Sequence, residues 1–385
     1  MLDEAEREFA EAARRFARAR IAPGYMAREA AARMERELVR EMGGLGLIGA
    51  DLPEALGGHG QPSVMAGIAI EAVAEADINM AYVPLLASLN GQIIARHAEP
   101  GLAREWISRL VAGEALACIA LTEPRGGSDA ANLALAARRE GAEYVLHGEK
   151  SSISMADQAD VAVVFARTGP PGSGARGVSA FLVPMDLPGI AVTRFRDLGS
   201  HAIGRGSIFF DGVRLPASHR LGEEGAGFVQ VMQGFDYSRA LIGLQCCGAA
   251  QASLDESWAY VREREAFGAP LARFQGVTFP LAEGEGMVAA VRQLAYHTLR
   301  LRDAGLPHTA EAAMCKWLGP KTAVEVIHQC LLTHGHYGWS LDLPHQQRLR
   351  DVMGLEIGDG TAQIMKLIVA RERAGRDAVQ HARKT

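Results

Sequence analysis

Apolar residues recur every three to four positions at the start of the chain: Ala5, Phe9, Ala12 and Phe16 share one face, with Glu and Arg between them. That is the spacing of an amphipathic helix, and residues 1 to about 117 read as helical. Leu45 to Ala50 leads into Asp51-Leu52-Pro53, where Gly57-Gly58-His59-Gly60 breaks the pattern. No strand precedes those glycines and no helix start follows them, so a loop is expected rather than a dinucleotide fingerprint. From about 118 to 217 the period shortens. Tyr144–Leu146, Val161–Phe165, Val178–Val183, Ile190–Val192 and Ser207–Phe210 are short β-type runs, separated by turns such as Gly169-Pro170-Pro171-Gly172-Ser173-Gly174. Several strands without intervening helices predict a small antiparallel sandwich or barrel. Beyond Gly225-Ala226-Gly227 long helical segments return, at 226–263, 276–304, 308–334, 345–352 and from 361 towards the end, with Gly305-Leu306-Pro307 breaking two of them apart.

The expected fold class is α+β multidomain and mainly α, ordered helical, β, helical: an N-terminal domain over 1–117, a middle β domain over 118–222 and a C-terminal helical domain over 223–385. At 385 residues, 48% hydrophobic and 22% charged, the chain has an ordinary globular composition with enough length for several cores. A net charge of −5 argues against nucleic acid or an anionic membrane surface as partner. The N-terminus is charged from Asp3 onward, unlike a secretory signal, and no apolar run approaches the ~20 residues a membrane helix needs. Cys118, Cys246, Cys247, Cys315 and Cys330 are odd in number and lack C-x-x-C spacing. They predict reduced core thiols in a soluble, cytoplasmic protein, not a disulfide frame or zinc site. His334 and His336 lack a third ligand at sensible spacing, so no metal is expected.

Two segments concentrate chemistry. Gly354 to Ile364 carries Asp359 between two glycines, followed by Thr361 and Gln363. A carboxylate on a tight bend suits a functional site, and the same letters also suit an ordinary turn. Leu121-Thr122-Glu123-Pro124-Arg125-Gly126-Gly127-Ser128-Asp129 places small residues between hydroxyls. Such a loop delivers backbone N–H groups to a flat polar ligand or phosphate, or simply joins helix to strand.

Leu121 to Asp129 resembles the L-T-E-P-x-A-G-S-D signature of the acyl-CoA dehydrogenase flavoproteins. Pro53–Gly60 is similar to that family's P-E-x-x-G-G-x-G, Arg264–Gly268 with Gln275 to its R-x-x-F-G…Q, and Asp359–Ile364 to its E-G-T-x-x-I. In-order matches run from about residue 45 to 371. The resemblance implies FAD, held by the loop residues Leu121, Thr122, Gly127 and Ser128 and, near the flavin, by Ser152 and Ser154. Arg264, Phe267, Gln275 and Gln329 would bind its ADP half across a subunit interface, with Thr361 and Gln363 next to the base. An acyl-CoA would meet Ser128, Phe235, Asp236, Arg239 and Gly358, with Asp359 abstracting the α-proton. A C-terminal four-helix bundle, a homotetramer and an electron-transferring flavoprotein as oxidant are implied too.

The departures from the family pattern carry their own expectation. The base is Asp rather than Glu, so it reaches one methylene less, and its model acidity is similar. Gly358 stands where relatives carry an aromatic, Ser152 where they carry Trp, and Leu332-Thr333 where they carry Gly-Gly. Ser238 occupies the position from which some relatives supply the base, and a serine does not serve there. Opened space beside a short base resembles the alicyclic branch, whose substrate is cyclohexanecarboxyl-CoA. The alternatives are a branched-chain or unsaturated cyclic acyl-CoA, or a nitroalkane oxidase-like flavin oxidase.

Overall fold

The structure, a computed structural model, describes residues 2–170 and 172–375; Pro171 and the end of the last predicted helical segment lie outside them. Six helices open the chain: α1 (Glu4–Phe16), α2 (Tyr25–Ala31), α3 (Arg36–Gly44), α4 (Ser63–Ala76), α5 (Tyr82–His97) and α6 (Pro100–Val111). Asp3 starts α1 with a capping box: its side chain accepts the Glu6 N–H, and Glu6 accepts the Asp3 N–H, both at 2.9 Å. Eight strands follow: β1 (Ala117–Ala120), β2 (Ala136–Glu140), β3 (Glu143–Ser154), β4 (Val161–Arg167), β5 (Val178–Pro184), β6 (Ile190–Arg194), β7 (Arg205–Pro216) and β8 (Arg220–Leu221). The C-terminal helices are α7 (Gly227–Glu263), α8 (Gln275–Asp303), α9 (Thr309–Thr333), α10 (His336–Trp339), α11 (His345–Leu355) and α12 (Ala362–Ala374), with a small hairpin, β9 (Glu265–Ala266) and β10 (Ala269–Pro270), between α7 and α8. The long helices start and stop within a few residues of the periodicity.

The sheet runs β6-β7-β3-β2-β4-β5-β8, with β1 also on β4. It is not wholly antiparallel, as the short strands had suggested. β1 lies parallel to β4 from Ala117↔Val161 to Ala120↔Val164, because the β2–β3 hairpin intervenes before the chain returns alongside β1. β4 is buried on both faces. Val161, Val163 and Phe165 pack into the core shared with the helices, while Ala162, Val164 and Ala166 pack inside the β domain. Burial of both faces explains an unbroken apolar run in place of alternation. In the C-terminal domain α7, α8 and α9 pack on one another, and α12 lies against α9. No helix among the described residues is long and apolar enough to cross a membrane.

One buried carboxyl ties all three regions together. Asp351 on α11 accepts from Tyr25 Oη (2.8 Å) and Asn79 Nδ2 (2.8 Å), and from the N–H of Ser200 (2.5 Å) in the loop before β7. Burial pushes its pKa from an ordinary 3.8 up to about 6. The folded value exceeds the unfolded one, so the fold holds the proton. That contribution to stability is complete below about pH 3.8 and disappears as pH rises through about 6. The loss expected is about 3 kcal/mol. Urea unfolding across that range should show it in the parent, and Asp351→Asn, which does not titrate, should lack that component.

Candidate active site

α11 ends at Leu355, and the N–H groups of Ile357 and Gly358 both turn back to the Gly354 carbonyl at 3.2 and 3.1 Å. The chain then bends sharply. Asp359 adopts φ +52°, the left-handed region that Asp and Asn tolerate better than most residues. Gly360 follows at φ +106°, a conformation that residues with a side chain rarely adopt and that favours glycine. Thr361 closes the bend by capping α12, its side chain accepting the Ile364 N–H at 3.5 Å. The Asp359 carboxylate is thereby turned in, half-buried. Among the described residues its own N–H has no acceptor.

Two buried cations stand behind this carboxylate. Lys316 on α9 is 1% exposed and donates Nζ–H bonds to the carbonyls of Leu355 (2.6 Å) and Gly360 (3.1 Å). Arg239 on α7 is buried, and its Nη1 donates to Asp236 Oδ1 at 3.0 Å. Asp236 Oδ2 in turn accepts from Thr309 Oγ1 at 2.7 Å, and the guanidinium lies 5.6 Å from the Phe235 ring centre. The segment expected to bind CoA therefore forms one packed unit whose Arg faces Asp359. Burial raises the Asp359 pKa, while Lys316, Arg239 and the neighbouring Ser238 hydroxyl work against that rise. A carboxylate raised by burial and restrained by cations is poised to accept a proton.

The Leu121–Ser128 loop and β3 form a second polar surface. The Ser151 N–H donates to the Thr122 carbonyl at 2.8 Å, joining the two. Beneath them Lys150, fully buried, donates to the Leu121 carbonyl and to Glu123 Oε1, each at 2.9 Å. Glu123 also accepts the N–H groups of Ala134 (2.7 Å) and Leu135 (2.8 Å). The pairing register between β3 and β7 breaks from Lys150 to Ile153, and Ser152 sits in that break at φ +60°. The hydroxyls of Thr122, Ser128, Ser152 and Ser154 bond to nothing among the described residues. Within the glycine-rich motif, Glu123 is thus an internal anchor, and the free donors are its neighbours.

The remaining predicted residues lie elsewhere. Arg264 and Phe267 sit on the β9–β10 hairpin and Gln275 opens α8. From Arg239 to Arg264 is about 37 Å along α7 at helical rise. Phe267 is 98% exposed, with φ +52°. Gln329 lies thirteen residues, about 20 Å, beyond Lys316 on α9. One chain therefore gathers Asp359, Arg239, Phe235, Asp236, Gly358 and Thr361 with Gln363 just beyond. It leaves Arg264, Phe267, Gln275 and Gln329 as a second group.

Three family models match in order: the acyl-CoA dehydrogenase N-terminal domain over residues 3–114, the middle domain over 118–213 and the C-terminal domain over 225–373. The chain belongs to the acyl-CoA dehydrogenase family. Mouse mitochondrial short-chain specific acyl-CoA dehydrogenase is 35% identical over 351 residues, covering 88% of this chain and 84% of the mouse protein. Benzylmalonyl-CoA dehydrogenase of Aromatoleum aromaticum is 34% identical over 361 residues, covering 93% and 95%. The structure of glutaryl-CoA dehydrogenase from Mycobacterium smegmatis in complex with FADH2 superposes with a TM-score of 0.91 at 29% identity, covering 97% and 95%.

This acyl-CoA dehydrogenase is an FAD-dependent oxidoreductase, and its residues fit the cofactor. Unused hydroxyls line the 122–128 loop and the β3 break, side by side, as a flat polar ring system requires. The cysteines are not candidates for covalent chemistry. All five are buried, and burial pushes Cys118, Cys246 and Cys315 up to about 12 and Cys330 to about 11. His334 stacks between Tyr260 and His345, each ring 4.3 Å away, and bonds the Cys330 carbonyl through Nδ1 at 2.9 Å. Burial lowers His345 to about 4, so it packs there as a neutral ring.

Sequence reasoning passed over Lys316, Lys150 and Asp351. Lys316 is a lone charged letter in an apolar stretch, whereas Lys150 follows Glu149 and Asp351 follows Arg350 in ordinary polar runs; nothing local says what any of them will face.

Proposed function

We propose that this enzyme dehydrogenates an acyl-CoA whose α-carbon is branched within a ring, converting cyclohexanecarboxyl-CoA to cyclohex-1-ene-1-carboxyl-CoA, with Asp359 as the base. The observation that carries the ring is Gly358. Its φ is not left-handed, and a Cβ built there meets only the Gly354 carbonyl oxygen, at an ordinary 3.7 Å. Backbone geometry therefore does not demand glycine, and its use leaves empty volume beside the base. The relative in Aromatoleum aromaticum, whose name specifies a benzyl-bearing malonyl thioester, supports a bulky α-substituent.

Asp359 takes the α-proton of the thioester onto a carboxylate oxygen. Its N–H, without an acceptor among the described residues, would serve as a donor to the thioester carbonyl, where negative charge develops as that proton leaves. FAD, when bound, accepts the β-hydride. Thr122, Ser128, Ser152 and Ser154 would hold the cofactor on the second polar surface, and Arg264, Phe267, Gln275 and Gln329 would serve a neighbouring copy in a homotetramer. Phe267, 98% exposed with its ring only edge-on to Phe274 at 6.2 Å, is consistent with that assembly. An electron-transferring flavoprotein is the oxidant this reading takes.

A panel of butyryl-, isobutyryl- and cyclohexanecarboxyl-CoA, followed by anaerobic flavin bleaching, tests the substrate. The cyclic thioester should reduce the parent fastest. Gly358→Tyr should slow it about tenfold, the cost of overfilling a fitted site, with less effect on butyryl-CoA. Faster bleaching of the parent by a straight chain than by the ring would overturn the assignment.

A further inference from the structure

Between the end of α11 and the start of α12 the chain turns with little support of its own. Ile357 and Gly358 bond back to Gly354, and Asp359 is held in a left-handed conformation that is costly for a residue with a side chain. Lys316 reaches this turn from α9, thirty-nine residues from Leu355 and forty-four from Gly360 in sequence. Its bond to Leu355 is readily explained, since Leu355 ends a helix and leaves a carbonyl without an intrahelical partner. The bond to Gly360 is not helix capping. Gly360 lies past the turn, so Nζ grips the loop on both sides of Asp359.

We infer that Lys316 is the positioning residue of the base: it clamps the two ends of the 356–360 turn and keeps a positive charge against the Asp359 carboxylate. The inference rests on Asp359 being the proton acceptor. A buried ammonium costs desolvation that an amide or an apolar side chain would not, so carbonyl satisfaction alone does not account for a lysine. The charge is what a neutral donor would lack. The groups facing Asp359 are Lys316 from α9, Arg239 and Ser238 from α7, and Tyr82 from the start of α5. Glu356 and Cys246 face Lys316 in addition. Arg239 already spends a guanidinium N–H on Asp236. Lys316 bonds only carbonyls, so its charge is the one not shared with a hydrogen-bonded carboxylate.

The test is the pH dependence of anaerobic flavin reduction by cyclohexanecarboxyl-CoA in Lys316→Met and in Lys316→Gln. The Gln variant keeps a donor for the carbonyls and drops the charge, so it folds if the Met variant does not. Loss of a nearby cation raises the pKa of a carboxylate. The acid limb of the profile should therefore move up by about one pH unit in both variants, so that the loss approaches about tenfold on the acid side of the limb and shrinks towards nothing on its alkaline side. Lys316→Arg, which keeps the charge, should return the limb towards the parent position. An acid limb that stays in place in Lys316→Gln, with normal FAD content and melting temperature, would overturn the inference. Lowered FAD content or melting temperature with an unmoved limb would also overturn it, since that is the mark of a structural lysine. Asp359→Asn separates the two levels: rapid reduction in that variant removes the base assignment itself, whereas a dead Asp359→Asn beside an unmoved limb removes only the role of Lys316.

Discussion

Asp359→Asn is expected to slow flavin reduction by an acyl-CoA about 10²- to 10⁴-fold, the range a positioned general base contributes, while the protein keeps its FAD and its fold. The amide has nearly the same shape as the carboxylate, and asparagine tolerates the left-handed conformation seen at φ +52°. The turn should thus survive, and the loss should be confined to proton transfer. In the parent the rate should climb with pH. Burial raises the Asp359 pKa, the deprotonated form is the active one, and activity is lost as pH falls through that raised value. The variant should show no such limb. Anaerobic stopped-flow bleaching reads both effects, and a variant that bleaches within a few-fold of the parent would place the base elsewhere.

Lys150→Met is expected to do comparable damage by another route. It strips the buried Glu123 carboxylate of its ammonium partner, leaving the N–H groups of Ala134 and Leu135. It also frees the Leu121 carbonyl at the root of the Leu121–Ser128 loop. Burial pulls Lys150 down to about 8 against the attraction of Glu123. Burial also works to raise Glu123, but Lys150 and the backbone donors overcome it and hold that carboxyl below its ordinary value. Removing one member of a buried pair costs about 3–5 kcal/mol. Urea unfolding should show that loss, and the flavin-to-protein ratio should fall with it. The double variant Glu123→Gln with Lys150→Met should be less damaged than the single, because no uncompensated charge then stays buried.

Most of the architecture was legible because its elements are long and periodic. The segment read as 308–334 is Thr309–Thr333, and that read as 276–304 is Gln275–Asp303. The parallel pairing of β1 with β4 was not legible, since strand direction depends on where the intervening hairpin folds. At the site, Asp359 announced itself through its flanking glycines, and the structure refines why they are there. Gly360 is demanded by its positive φ, whereas Gly358 is not demanded by the backbone at all and reads as space. Glu123, by contrast, sits in the most recognisable motif of the chain and turns inward to anchor it.

The sequence by itself determined the order of helical and β regions, the family, the cofactor and the carboxylate on the bend. These are local properties of period and motif, written in contiguous letters. Only the tertiary structure decided what stands behind that carboxylate. Lys316, Arg239 and the Asp351 junction with Tyr25, Asn79 and Ser200 bring together residues as much as 326 positions apart. It also decided that Arg264 and Phe267 sit far from Asp359, at the other end of a 37-residue helix. Burial and charge pairing arise between elements, so no stretch of sequence contains them until the helices and the sheet have packed.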